Sequence, residues 1–343
     1  NYLKQPTITK KQLRNMTVDL YPPQTYEADL TPEYPEAIDD ACNKIYKACK
    51  GFGTDEKLLS SVLGATNPSE RWLIANRYPE LHKKNLYKLI KSETSRDWGQ
   101  LCQLLASTPE VSEAAMIIKA CKGFGTNEKL LYPIICGRSA SDMNILKKTF
   151  YREHGKDLVV YVSSELSGKF KQLLVMCAQG TEQPYDETFH TEAKAKEDAE
   201  AYYKAGQGRW GTDEKAMFEI ICDSPPEHLE SVNRCYVEKY GYSMIKALEK
   251  ELSGNVKNAA IYTLGMKLKP FEAMAEQIKT TCAGFGTDEL GLSCCMVRYQ
   301  GYMNEVMIAH EELFGETLID RIRSETSAKY CKLLIALTGL EPY

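Results

Sequence analysis

Histidine is scarce in this chain and paired-cysteine motifs are missing. Five histidines and twelve cysteines stand among 343 residues, with no CxxC pair and no Cys/His spacing of the zinc type. A zinc-organised fold is thereby excluded. No histidine sits in a cluster along the chain, and His154 and His228 read as surface or packing residues. No Ser/His/Asp or Cys/His constellation can be assembled, so an enzymatic role has no support. There is no DxDxDG loop of the EF-hand type and no phosphate-binding P-loop. No run of 18 apolar residues occurs, and the first residues lack the apolar stretch of a signal peptide. The sequon at Asn15 is therefore expected to stay unglycosylated. Charge of one sign is also lacking: 43 basic residues face 47 acidic ones, a net charge of -4, without basic runs or aromatic-basic stripes. That balance argues against nucleic acid as a partner. Any attraction to an anionic surface must come from something the chain does not itself carry.

The cysteines fall mostly in apolar helical patterns, as Cys102, Cys136, Cys177 and Cys222 do, where a thiol packs as a small hydrophobe. Such usage favours a reducing, cytoplasmic location. Residues 1–33 are polar and broken by Pro6, Pro22, Pro23 and Pro32, and read as an N-terminal tail. From Pro35 onward the pattern is helical. It divides into units at 34–107, 108–180, 196–268 and 269–343, with a polar linker at 181–195. In the second unit the periodicity predicts helices over Val111–Ala120, Glu128–Cys136, Asp142–Glu153, Leu158–Glu165 and Phe170–Ala178. Five short helices per unit leave no room for a sheet, so the fold class is all-α. The GxGxxG match at Gly206–Gly211 follows a helical segment rather than a strand, which argues against a dinucleotide site.

One turn recurs four times: GFGTDE at Gly51, GFGTNE at Gly123, RWGTDE at Arg209 and GFGTDE at Gly284. Each is followed by a glutamate in nearly the same words, at Glu93, Glu165, Glu251 and Glu325. From Gly53, Gly125 and Gly211 that spacing is 40 residues, and from Gly286 it is 39. A turn copied together with a distant carboxylate describes one folded unit repeated four times. Locally, the sequence reads as a corner between helices, with Thr54 as N-cap and Asp55 and Glu56 in the first turn.

The glutamate adds chemistry to that corner. Glycine-rich turns expose carbonyl oxygens on one side, and a carboxylate from another loop would complete an oxygen cage for a hard cation such as calcium. One charge and a few neutral carbonyls make a weak site alone, with open positions that a lipid phosphate can fill. Calcium would then bridge an acidic protein to an acidic membrane. Phe52, Phe124, Trp210 and Phe285 stand at equivalent loop tips, and aromatic rings favour the headgroup region of a bilayer. Beside them, Lys50, Lys122 and Arg209 are placed to meet phosphate.

These four turns, the acidic residue near 40 positions on and the longer join in the middle resemble the annexin family, over residues 34–343. The resemblance implies a curved disc of four five-helix repeats, with calcium loops on its convex face and the tail on its concave side. Carried over, the first site would use the carbonyls of Cys49, Gly51 and Gly53 with Glu93. The second would use Cys121, Gly123 and Gly125 with Glu165. The third would use Gly206, Arg209 and Gly211 with Glu251, and the fourth Cys282, Gly284 and Gly286 with Glu325. Accessory sites pairing the Thr54 carbonyl with Glu56 are also implied. Departures are Ala283 in place of a basic residue, the short fourth spacing, which would offset Glu325, and Asn127 in place of aspartate, which bears on the helix start more than on the ligands. All four sites are intact, unlike the plant pattern.

The implied function is non-enzymatic, calcium-dependent binding to anionic phospholipid, peripheral and reversible, serving membrane organisation, tethering or repair, with lateral self-assembly on the membrane. Two alternatives stay open. One is a calcium-permeable channel, weakened because Met116 and Cys294 stand where relatives line a central passage with glutamate and arginine. The other is a scaffold whose tail docks a cytoskeletal or membrane-protein partner.

Overall fold

The computed structural model describes residues 18–27, 31–123, 125–208, 211–284 and 286–341. Among them are twenty α-helices, two short 3₁₀ turns and no strand. The expected all-α class holds. The first five helices are α1 (Glu36–Ala48), α2 (Glu56–Gly64), α3 (Pro68–His82), α4 (Leu86–Glu93) and α5 (Arg96–Leu105). The next are α6 (Pro109–Cys121), α7 (Glu128–Ile135), α8 (Ala140–His154), α9 (Leu158–Glu165) and α10 (Gly168–Gln179). Then come α11 (Glu192–Ala205), α12 (Glu214–Asp223), α13 (Pro226–Tyr240), α14 (Met244–Glu251) and α15 (Gly254–Leu268). The last are α16 (Pro270–Thr281), α17 (Glu289–Arg298), α18 (Met303–Phe314), α19 (Leu318–Glu325) and α20 (Ala328–Ala336).

Local chemistry sets these boundaries. Asn85, Asp157, Ser243 and Thr317 each cap the fourth helix of a run, accepting a hydrogen bond from an N–H of its first turn. The third helices end in the left-handed region at Lys83, Gly155, Gly241 and Gly315. Every fourth helix stops on a glutamate. Two extended residues follow, and the fifth helix opens on a left-handed residue: Arg96 (φ 59), Gly168 (φ 61), Gly254 (φ 63) or Ala328 (φ 50). This sharp corner presents the glutamate at the end of its helix.

The chain forms two compact units. One comprises Ile117–Ala273 with the described residues Val18 and Asp19. Its core is built on Leu146, Phe150, Leu173, Tyr202, Phe218 and Tyr236, none more than 1 % exposed. Each Leu or Phe among them contributes about 1.5–3 kcal/mol on burial. Lys169 of α10 pairs with Glu214 of α12, and Asn255 of α15 bonds Glu128 of α7 at 2.7 Å. Asp19 accepts hydrogen bonds from Ser139 (2.6 Å) and Ser141 (3.1 Å). Two of the five histidines, His190 and His228, come into contact here. The His190 and His228 rings lie 4.7 Å apart, and His228 Nε2 is 2.7 Å from Asp198. His228 is accordingly a buried packing residue.

The other unit comprises Leu20–Met116 and Met274–Tyr343. Ile45, Leu59, Leu63, Ile74, Tyr78 and Tyr299 lie within its interior. Lys329 of α20 meets Glu56 of α2 at 2.5 Å. Within the segment read as a tail, Leu20 and Tyr21 are buried in this unit. The Tyr21 hydroxyl donates to Glu113 Oε2 at 2.5 Å, while Arg298 donates to Oε1 at 2.9 Å. That buried triad joins three distant stretches of chain and left no sequence signal.

Candidate cation loops

In the first loop, α1 ends at Ala48 and Cys49 closes it by donating its N–H to Ile45 O. The chain then turns through Gly51 (φ 109) and Gly53 (φ 83), matched by Gly123 (φ 118) with Gly125 (φ 82) and Gly284 (φ 113) with Gly286 (φ 89). A Cβ at any of these would meet open space. Glycine is therefore required by the backbone angle, not by room. The loop is clamped where Asp55 N–H bonds Ala48 O at 2.8 Å, as Asn127 bonds Ala120 (2.7 Å), Asp213 bonds Ala205 (2.7 Å) and Asp288 bonds Thr281 (2.8 Å). The third loop is one residue longer. Its Gly206 is buried at φ -105, with Glu251 Cγ and Met217 Sδ both 3.3 Å from where a Cβ would stand.

The helix start differs from the expectation in one respect. Thr54 is not the N-cap. Asp55 Oδ1 accepts the Leu58 N–H at 2.9 Å, and Asn127, Asp213 and Asp288 cap α7, α12 and α17 in the same way. Asn127 thus acts at the helix start, as expected of that departure. The threonine is left for another task.

Thr54 Oγ1 lies 3.0 Å from both the carbonyl oxygen and Oε2 of Glu93. Thr287 Oγ1 does the same to Glu325, at 3.2 and 2.8 Å. Glu325 is therefore not offset by its shorter spacing. In the third loop Thr212 donates to Glu251 Oε2 and Gln207 to Oε1. In the second, Thr126 reaches only the backbone oxygen of Glu165, at 3.2 Å. All four predicted acids thus stand against the threonine of their own glycine turn. The threonine's role was missed, although its recurrence in every GT turn was a signal for it.

The cysteines at the first ligand position bury their thiols: Cys49, Cys121 and Cys282 are 7–8 % exposed. Burial, reinforced by Glu93 and Glu165 respectively, pushes the Cys49 and Cys121 thiols up to about 11. Phe52 projects fully into solvent, at 111 % of its reference exposure. Lys50 and Lys122 are exposed beside these turns. Phe124, Arg209, Trp210 and Phe285 lie outside the described residues. At the accessory positions, the Thr54 and Thr126 carbonyls accept the N–H of Glu56 (2.9 Å) and Glu128 (3.0 Å). The side chains of Glu56, Glu128 and Glu214 are already engaged by Lys329, Asn255 and Lys169. Among the described residues no three His, Cys, Asp or Glu side chains converge into a metal cluster. The loops offer instead one carboxylate each, beside backbone oxygens. No described helix is long and apolar enough to cross a membrane.

Comparison with known proteins agrees with this layout. The annexin family model matches residues 39–105, 112–177 and 197–262. Mouse annexin A13 is 32 % identical over 300 residues, covering 87 % of this chain and 94 % of that protein. The solved structure of annexin III superposes with a TM-score of 0.83 at 30 % identity, covering 90 % of this chain and 96 % of its own. The crystal structure of calcium-bound annexin (Sm)1 shares the fold, with a TM-score of 0.76 at 22 % identity over 90 % of this chain and 92 % of that one.

Proposed function

The chain belongs to the annexin family, and from that premise we propose that it binds anionic phospholipid membranes in the presence of calcium. Four loops would serve, one in each repeat, the repeats running over 34–107, 108–180, 196–268 and 269–343. The observation that carries this reading is the pairing of an exposed, left-handed glycine turn with a glutamate held against that turn's threonine.

The donor set fits a hard cation. Backbone oxygens and a carboxylate are the ligands calcium prefers, while the neighbouring thiols are buried and protonated at neutral pH, so no soft ligand competes. The backbone oxygens of Cys49, Gly51 and Gly53 with Glu93 would hold it, and likewise Cys121, Gly123, Gly125 and Glu165; Gly206, Arg209, Gly211 and Glu251; and Cys282, Gly284, Gly286 and Glu325. Calcium supplies the positive charge that a chain of net charge -4 lacks toward anionic headgroups. Thr54, Thr212 and Thr287 hold the acids in place beforehand. Phe52 is free to enter the headgroup region, and we assign Phe124, Trp210 and Phe285 the same role by their equivalent positions.

Co-sedimentation with phosphatidylserine vesicles across a calcium series tests this, with phosphatidylcholine vesicles as control. Pelleting should require calcium and the anionic lipid. It should shift to higher calcium in Glu93→Gln or Glu251→Gln while the fold is kept. Unchanged calcium dependence in the quadruple Glu93/Glu165/Glu251/Glu325→Gln variant would overturn the assignment.

A further inference from the structure

Three thiols meet in the unit built on Ile117–Ala273. Cys177 Sγ of α10 lies 3.7 Å from Cys222 Sγ of α12 and 3.9 Å from Thr263 Oγ1 of α15. Cys136, which follows α7, shares a hydrogen bond with Cys177. All are free thiols. Their places are symmetric: Cys136 and Cys222 stand eight residues past Glu128 and Glu214, and Cys177 and Thr263 nine past Gly168 and Gly254. The group therefore forms where the second and fifth helices of two repeats face one another. In the other unit the same four places hold Gly64, Leu105, Val297 and Leu337. Packing at this position does not need sulfur.

The setting suits thiol chemistry. Cys136 and Cys222 are buried, at 0 % and 8 % exposure, while residue Cys177 is partly exposed. Lys267 is held nearby, paired with Glu182 (2.8 Å) and donating to Cys222 O (2.8 Å) and Ser224 O (2.9 Å). Hydrogen bonds from Cys136 and Cys222 outweigh the opposing effect of burial and hold Cys177 well below the usual thiol range. A disulfide needs a sulfur separation of about 2.05 Å, so the pair must close by about 1.7 Å. Both residues sit in the last turn of their helices, so the closure is confined to two helix ends.

We propose that Cys177 and Cys222 form a reversible disulfide, with Cys177 the sulfur oxidised first by a peroxide. Its thiolate displaces hydroxide from hydrogen peroxide, breaking the O–O bond and leaving a sulfenic acid; the hydroxide leaves as water. Cys222 then attacks the Cys177 sulfur, giving its proton to the departing hydroxyl, so a second water leaves as the S–S bond forms. Two electrons pass from the sulfurs to one peroxide, and a thiol reductant returns them. In a reducing compartment the dithiol is the resting state. This site stands independently of the membrane reading.

The test exposes the native full-length chain to equimolar hydrogen peroxide, blocks remaining thiols with N-ethylmaleimide, and maps unreduced peptides by mass. A peptide linking Cys177 to Cys222 is expected, lost on treatment with dithiothreitol and formed at least about tenfold faster than in the urea-unfolded chain. In Cys222→Ser, dimedone should trap a sulfenic acid on Cys177. Three results would overturn the proposal: Cys177 recovered as free thiol while exposed methionines are oxidised, Cys177 linked chiefly to another cysteine, or equal rates in the native and unfolded chains.

Discussion

Replacing Thr54 by valine keeps side-chain volume and β-branching and removes only the hydroxyl that ties the first loop to its acid. That hydroxyl stands 3.0 Å from two acceptors, the carbonyl oxygen and Oε2 of Glu93. It carries one proton, so the acceptors share a single donor and the loss is one bond's worth, not two. A neutral bond contributes about 0.5–1.5 kcal/mol and one to a carboxylate about 1.5–3. Both residues are half-buried, which places Thr54→Val near the overlap, a loss of about 1–1.5 kcal/mol in urea unfolding without calcium. The Glu93 carboxylate would then have to be positioned by the cation itself, so calcium affinity at this loop should fall by roughly fivefold to tenfold, about 1–1.4 kcal/mol. Calorimetric titration of calcium into the chain reads that loss directly. Thr54→Ser keeps the hydroxyl and should behave as wild type. Thr126→Val is an internal control: Thr126 reaches only the backbone oxygen of Glu165, so it should cost stability with little effect on cation binding. The reasoning fails if Thr54→Val unfolds within about 0.3 kcal/mol of wild type, or if Thr54→Ser, which keeps the hydroxyl, falls as far as valine.

Asp55→Ala removes the acceptor of the Leu58 N–H and should cost about 1 kcal/mol, whereas Asn127→Asp should change urea stability little; equal losses in both would contradict the capping assignment. Phe52→Ala should leave the unfolding midpoint within about 0.5 kcal/mol, because the ring packs against nothing, yet weaken vesicle pelleting; a large stability loss would show the ring to be buried in solution. Ala328→Gly should stabilise by about 0.5–1 kcal/mol, since an L-residue at φ 50 carries strain that glycine escapes; a destabilised variant in thermal melts would refute that strain. Lys169, Asn255 and Lys329 each meet the first glutamate of a facing helix, but the equivalent residue of α5 is Asp97, which together with Glu289 presses on Tyr330. Asp97→Lys should therefore gain up to about 1 kcal/mol, and the gain should vanish at high salt; a gain indifferent to salt would point away from charge.

The helical layout was legible because each segment is periodic and bounded by cap chemistry. The Leu158–Glu165 helix was placed to the residue, and the other helices of that repeat differ by at most two residues at an end. The acids were legible because copying fixed their spacing. What stayed hidden depends on backbone angle or on contacts between distant residues. Thr54 and Asp55 are both good caps and adjacent, and only the φ of -74 and ψ of 84 at Asp55 turn its carboxylate onto α2 and leave the hydroxyl for Glu93. The triad of Tyr21, Glu113 and Arg298, the His190–His228 contact and the thiol cluster join residues 38 to 185 apart, with no period to announce them.

The fourth repeat shows why counting alone misjudged Glu325. Its missing residue is absorbed before the acid, where a 3₁₀ turn at Gln300–Tyr302 precedes a third helix of 12 residues in place of the 15 of α3, α8 and α13. From Thr317 onward the cap, the fourth helix and its closing glutamate keep the register of the other repeats. A length change inside a helical repeat is therefore tolerated where one helix end can be rewound, and the site stays in register as long as the threonine and the glutamate still meet.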